Sequence, residues 1–243
     1  MLNFIWIEIL KKPIFNSLVF LELYTGNLGI SIILLTLILK TILVPLSIPQ
    51  LRLSLKKGDM DEDLKKLKEK HKDKSELAKA QMDLYKKHGV SPAGGCLPSI
   101  VFMIILLALF NVFRGLFDGT IDPSFYYSSI ILRENPINHY FLYLDLFKKD
   151  PYYILPVLTG IAQFFASKYM IPKVKAAEKI AKKTESGVDD IATQMQSQML
   201  YMFPIMTVFF TINFPSGLAL YWFVSSLYTI LQNWALKKYI IKG

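Results

Sequence analysis

Long apolar runs separated by lysine-rich stretches organise this chain. The runs extend from Leu28 to Ile48, Leu97 to Phe117, Pro151 to Ile171, Met199 to Phe214 and Pro215 to Leu236. Most approach the roughly 20 residues that carry a helix across a bilayer core. Their residues do not alternate, as Ile32-Ile33-Leu34-Leu35 and Ile104-Ile105-Leu106-Leu107-Ala108 show. A backbone in lipid must satisfy its own hydrogen bonds, and a barrel needs alternating strands, so the runs predict helices. Asp150-Pro151 supplies a cap and a first-turn proline for the third run. Phe214-Pro215-Ser216-Gly217 breaks the last stretch into a helical hairpin. Pro45 and Pro49 should kink or end the first helix. Pro156 and Pro204, inside runs, are tolerable in a membrane bundle.

The polar stretches have their own patterns. Met1 to Leu10 is apolar but lacks a basic start and a small-residue cleavage site, so no cleaved signal is expected. Glu8 to Leu23 has apolar residues at near-helical spacing and reads as an interfacial helix, or alternatively as an apolar tail packed on the bundle. Residues 50–93 hold twelve Lys or Arg and eight Asp or Glu. Leu64, Leu67 and His71 share one helical face, and Leu77, Ala80 and Leu84 another. With Ser75 as a cap, the stretch predicts a water-exposed helical hairpin. Lys168 to Gln198 is polar, and Ser186-Gly187 with Asp189-Asp190 suggests a flexible turn there. No internal repeat is visible, which weakens a transporter reading built on inverted repeats.

The expected plan is an all-α integral membrane protein with five transmembrane helices, an N-terminal interfacial helix and a cytoplasmic helical hairpin. Its segments are an external 1–27, a helix over 28–49, the hairpin over 50–93, a helix over 97–117 and an external loop over 118–150. A helix over 151–171, a cytoplasmic loop over 172–198, helices over 199–214 and 215–236 and a cytoplasmic tail over 237–243 complete it.

Composition agrees with a membrane setting. Of 243 residues, 53% are hydrophobic and 19% charged, against roughly a quarter charged in soluble domains. The single Cys96 excludes a disulfide scaffold and a zinc cluster. A net charge of +9 could suggest nucleic acid, but the lysines lie among acids and between apolar runs. Sorted by side, 21 basic residues fall with the hairpin, the 168–198 loop and the tail, and six fall on the other face. The positive-inside rule then puts the hairpin and C-terminus in the cytoplasm and the N-terminus outside.

Catalytic patterns are missing from the sequence: it has no zinc-protease pair, nucleophile elbow or phosphate loop. His71, His88 and His139 read as solvated, Cys96 as a small packing residue, and Ser216 has no evident base. No metal or cofactor is expected. Lys40 needs a reason. It is the thirteenth residue of its run, where an ammonium costs about 2.5–3.5 kcal/mol on insertion scales. Snorkelling is the simple account, but Pro49 is about 14 Å further along the helix and a lysine reaches only about 6 Å. A water-filled cavity inside the bundle explains it better. Thr36 lies one turn earlier, and Gln163 and Trp222 could line the same space. Asn111, Thr159, Ser167, Thr207, Thr211, Ser225 and Ser226 are further polar groups, and no run contains an acid to pair with Lys40.

Several fragments, in order, resemble the YidC family of membrane protein insertases, the bacterial branch of the Oxa superfamily. They are Lys12-Pro13-Ile14-Phe15-Asn16, the run from Leu28 to Thr36 with the charge after it, and Gly89-Val90-Ser91-Pro92-Ala93-Gly94-Gly95-Cys96-Leu97-Pro98. Asp150-Pro151-Tyr152-Tyr153, Phe214-Pro215-Ser216-Gly217-Leu218 and Leu220-Tyr221-Trp222 follow. The resemblance implies an insertase, not an enzyme, with a hydrophilic groove open to cytoplasm and lipid. The implied partners are nascent membrane proteins and membrane lipids, with the Sec translocon, the ribosome and the signal recognition particle pathway beside them, and no nucleic acid directly. The groove cation of the family is typically arginine, and Lys40 stands at the matching position. A large outer domain, an extra leading span and a long ribosome-binding tail are expected to be missing. The rivals are a small-anion transporter that binds through Lys40 and a purely structural assembly partner.

Overall fold

The structure is a computed structural model that describes residues 4–71, 73–89, 93–118, 125–127, 137–170 and 189–242. Most of the expected 172–198 loop, including Ser186-Gly187, lies outside the described residues. The described part is almost entirely helical. A π-helical segment, Ile5–Lys11, runs into α1 (Lys12–Thr25). Then come α2 (Leu28–Ile42), α3 (Val44–Lys70), α4 (Lys74–Lys87) and α5 (Ala93–Asp118). After the short strands β1 (Tyr140–Phe141) and β2 (Leu144–Asp145) follow α6 (Ile154–Met170), α7 (Asp189–Asn213) and α8 (Ser216–Lys242).

Helix ends follow local chemistry. The Asn27 side chain accepts from the N–H groups of Gly29 and Ile30 at 2.9 and 3.2 Å and starts α2. Asp73, not the expected Ser75, caps α4, its carboxylate accepting from Ser75 and Glu76 at 2.6 and 3.2 Å. Ser75 donates its backbone N–H instead, because Asp73 sits two residues earlier with extended backbone. Asp189 and Asp190 are the first residues of α7 rather than part of a turn. Asp150 does cap the third apolar helix. Its carboxylate accepts from Leu155 N–H at 2.7 Å and Tyr152 N–H at 3.0 Å, while Pro151 lies in a turn ahead of Ile154.

Between α2 and α3 the chain bends by 63°. Pro45 sits in the first turn of α3, where its missing N–H does no harm. Helix α3 then continues past Pro49 without a break into the first arm of the charged hairpin. Among the described residues no single helix is both long and apolar enough to cross a membrane, and the bent pair Leu28–Ile42 with Val44–Lys56 is. Shorter apolar stretches run over Ile100–Leu116 and Leu200–Asn213.

The core joins α1, α2, α5 and α8 around Phe15, Leu18, Leu28, Ile32, Leu109, Phe113 and Leu218. Gly29 lets Phe141 of β1 lie directly on α2, where any Cβ would overlap the ring. Gly160 does the same for α6 against Val208 of α7. One end of the bundle is closed by residues 137–150. Their carbonyls accept from Leu28 N–H (Asn138 O, 2.9 Å), Ser216 N–H (Lys148 O, 2.7 Å) and Gly217 N–H (Leu146 O, 3.0 Å). The hairpin of α3 and α4 leaves the bundle at the other end, where the Lys56 ammonium donates to His88 O at 2.6 Å.

Candidate functional site

Lys40 occupies the last turn of α2 and is buried, only 6% exposed. Its ammonium donates to Thr229 Oγ1 on α8 at 3.0 Å and lies 4.0 Å from the centre of the Phe102 ring on α5. Three helices thus meet at this cation. Thr229 donates its own proton to Ser225 O at 2.8 Å, so an oxygen lone pair is free to face the ammonium. Among the described residues no acidic side chain forms an ion pair with Lys40. One residue on, Thr41 and Tyr228 share a hydrogen bond of 2.9 Å between the same two helices.

Gln163 of α6 joins α8 one turn away. Ser226 Oγ donates to its carbonyl oxygen at 3.0 Å, and its amide donates to Ser167 at 3.3 Å. Ser226 and Thr229 are three residues apart and share a helix face, so α8 carries the contacts of both Gln163 and Lys40. Thr36 is buried at 1% exposure, and its hydroxyl is engaged within its own helix, donating to Ile32 O at 2.6 Å. Trp222 is half-buried one turn before Ser226, and its carbonyl also accepts from that hydroxyl at 3.0 Å. The structure therefore brings Lys40 and Gln163 to one stripe of α8, with Trp222 next to it, and leaves Thr36 on α2 without a bond to that stripe.

Two of the partners were not among the sequence candidates. Thr229 was legible as the next hydroxyl one turn beyond Ser225. Phe102 carried no signal among 17 phenylalanines, because its part depends on which face of α5 meets Lys40.

Other polar residues have structural tasks. Ser216, fully buried, lies within hydrogen-bond distance of Asp145 O and Lys148 O at 2.7 and 2.9 Å. His139, expected to be solvated, is half-buried and stacks on Phe147 with ring centres 4.6 Å apart. Among the described residues no group of His, Cys, Asp and Glu could hold a metal. A cavity of about 230 Å³ lies between Phe110, Phe113, Arg114, Asn213, Phe214, Pro215 and Leu218. It is displaced from Lys40 by the 11 residues from Leu218 to Thr229 on α8, about 16 Å of helix, so the cavity and the buried cation are separate features.

The chain is 34% identical over 239 residues to the membrane protein insertase MisCA of Bacillus subtilis, covering 96% of this chain and 79% of that one. It is 38% identical over 216 residues to the membrane protein insertase YidC of Fusobacterium nucleatum, covering 88% of each. The YidC insertase of Geobacter sulfurreducens is 33% identical over 241 residues, and there the match spans 98% of this chain but 39% of the relative. The chain thus spans about two fifths of the length of some relatives and most of the length of others. Residues 20–242 match the family described as 60Kd inner membrane protein. The chain therefore belongs to the 60Kd inner membrane protein family, the YidC family that its sequence resembles, and is a protein of the bacterial membrane.

Proposed function

We propose that this chain is a membrane protein insertase that helps newly made proteins enter and fold in the bilayer. The observation that carries this reading is Lys40, a cation held inside an apolar bundle whose partners among the described residues are neutral. A translocating segment brings polar and charged groups that hydrocarbon rejects. A polar stripe inside the bundle, reached from the cytoplasm and open to lipid, shortens the apolar barrier. Lys40 attracts acidic residues of a short outer tail, and attraction is stronger in its low-dielectric surround than in water. Gln163, Ser226 and Thr229 continue the stripe along α8, with Trp222 at its edge and Thr36 behind Lys40. The substrate's own apolar helix then leaves sideways into lipid, which drives the step. No bond is made or broken, so the assistance is not enzymatic.

The proposed arrangement has five spans, with the N-terminus outside and the hairpin and C-terminus in the cytoplasm. Its support is the 21-to-6 division of basic residues. In a Cys96→Ser background, Asn138→Cys should react with an impermeant maleimide from outside and Lys68→Cys should not. Reaction at residue 68 would reverse the topology. The Sec translocon, the ribosome and the signal recognition particle pathway are proposed partners by family, and the hairpin is the proposed contact for them. The function is tested by depleting the protein and following newly made membrane proteins by protease protection. Loss of protected outer segments is expected, and unchanged protection across a broad set of substrates would contradict the reading.

A further inference from the structure

Resting on that insertase reading, we infer that Phe102 and Thr229 are positioning residues that hold the Lys40 ammonium ready for transfer to a substrate carboxylate. The ring centre lies 4.0 Å from Nζ and the threonine oxygen 3.0 Å from it. A cation within about 6 Å of a ring centre is attracted by the ring's negative face. The two groups come from α5 and α8, so two neighbouring helices hold a cation carried by a third.

The chemistry of this pair differs from that of a salt bridge. A buried carboxylate partner would have to be displaced by the substrate's own, leaving one charge stranded. A ring and a hydroxyl are neutral. They stabilise the ammonium while the groove is empty, and either can be left behind without stranding a charge. An ammonium has three donors, and Thr229 accepts from one, so donors remain for an incoming acid. Lysine suits this seat because its charge is compact. The ligand class is therefore an acidic segment of a translocating chain, and Phe102 sets how readily Lys40 is released to it.

The test uses the full-length protein in membrane vesicles with fluorinated phenylalanines at position 102. Mono-, di- and trifluoro rings nearly preserve size while progressively weakening the negative face, so packing alone predicts no trend. Two readouts are taken: acetylation of Lys40 by acetic anhydride, followed by mass spectrometry of its peptide, and insertion of a single-span substrate with an acidic outer tail. Weaker attraction leaves more of the amine neutral. Acetylation should rise stepwise along the series and reach about two- to thirtyfold in Phe102→Leu, the span between an exposed and a desolvated cation–π contact. Phe102→Trp should keep Lys40 at or below the wild-type rate, and Thr229→Val should raise it. A flat acetylation series overturns the positioning role. Lys40→Ala, run in parallel for insertion only, tests the underlying reading separately: full insertion there contradicts the electrostatic groove, while the acetylation series still decides whether Phe102 holds the cation.

Discussion

The two ends of the bundle are built in opposite ways. At the closed end, residues 137–150 tie the starts of α2 and α8 together through buried backbone hydrogen bonds, with Leu144 and Leu146 buried beneath them. Asn16 of α1 joins the same end, donating to Phe125 O at 2.7 Å and accepting from Tyr127 N–H at 2.9 Å. At the hairpin end, the side-chain ties between and along the helices are long and partly open to solvent. His88 faces Asp63 at 3.9 Å, His71 faces Glu76 at 3.4 Å and Lys86 faces Asp83 at 3.9 Å. Long, solvent-facing polar contacts of this kind contribute little to stability. The closed end ties helix positions together through buried hydrogen bonds, and the hairpin is the proposed contact for other molecules. Lys40 lies between them, in the last turn of α2 before the chain bends into α3.

Removing the hairpin should give the largest functional effect with the smallest loss of fold. Replacing Asp61 to Lys86 with a short linker is expected to leave a folded, membrane-resident bundle that has lost most of its insertion activity. Circular dichroism and a reconstituted insertion assay check the two halves of that statement. Full activity after the deletion would erase the functional side of the contrast.

The closed end should answer in stability. Asp150→Ala removes the acceptor for Leu155 and Tyr152 N–H and for the Tyr143 hydroxyl at 3.1 Å. A buried donor is then left unsatisfied, and a loss of about 2–3 kcal/mol is expected, measured as a lower melting temperature in detergent. A change as small as that of a hairpin substitution such as Glu76→Ala would show that the two ends do not differ in rigidity.

A smaller effect should appear with acid. Burial alone would raise the Asp145 carboxyl, but hydrogen bonds from Lys148 and Phe147 N–H and the nearby Lys148 and His139 charges carry it below the ordinary carboxylate range. Its folded value lies below its unfolded one. Its contribution is therefore complete above the ordinary value of about 4 and is lost as pH falls through the folded value. Melting temperature should fall in that acid window, and Asp145→Asn should flatten the dependence. An equally steep fall in the Asp145→Asn protein would place the acid sensitivity elsewhere.

Much of this was legible in the sequence because lipid simplifies the code. Non-alternating apolar runs, Pro215-Ser216-Gly217 and Asp150 each mark a helix or its boundary through local rules. The bend after Ile42 was expected from Pro45, yet the uninterrupted passage of α3 from Val44 into the charged arm was not. Pro49 suggested a stop there, and the helix absorbs it. Lys40 stood out because a charge is rare in an apolar run. Its actual partners did not, since Phe102 and Thr229 reach it only through the packing of α5 and α8 on α2. The stacking of His139 on Phe147 was hidden for the same reason: a loop's tertiary contacts leave no periodic trace.

On the proposed function, the Lys40 charge acts on substrates rather than on the fold. The direct measurement is insertion of a single-span substrate with an acidic outer tail into vesicles that carry wild type, Lys40→Arg or Lys40→Ala at matched protein levels. Lys40→Arg should retain activity. Lys40→Ala should accumulate normally and insert about tenfold more slowly, the factor that roughly 1.4 kcal/mol of lost attraction gives. Equal insertion by wild type and Lys40→Ala would contradict the account and leave Lys40 a structural lysine.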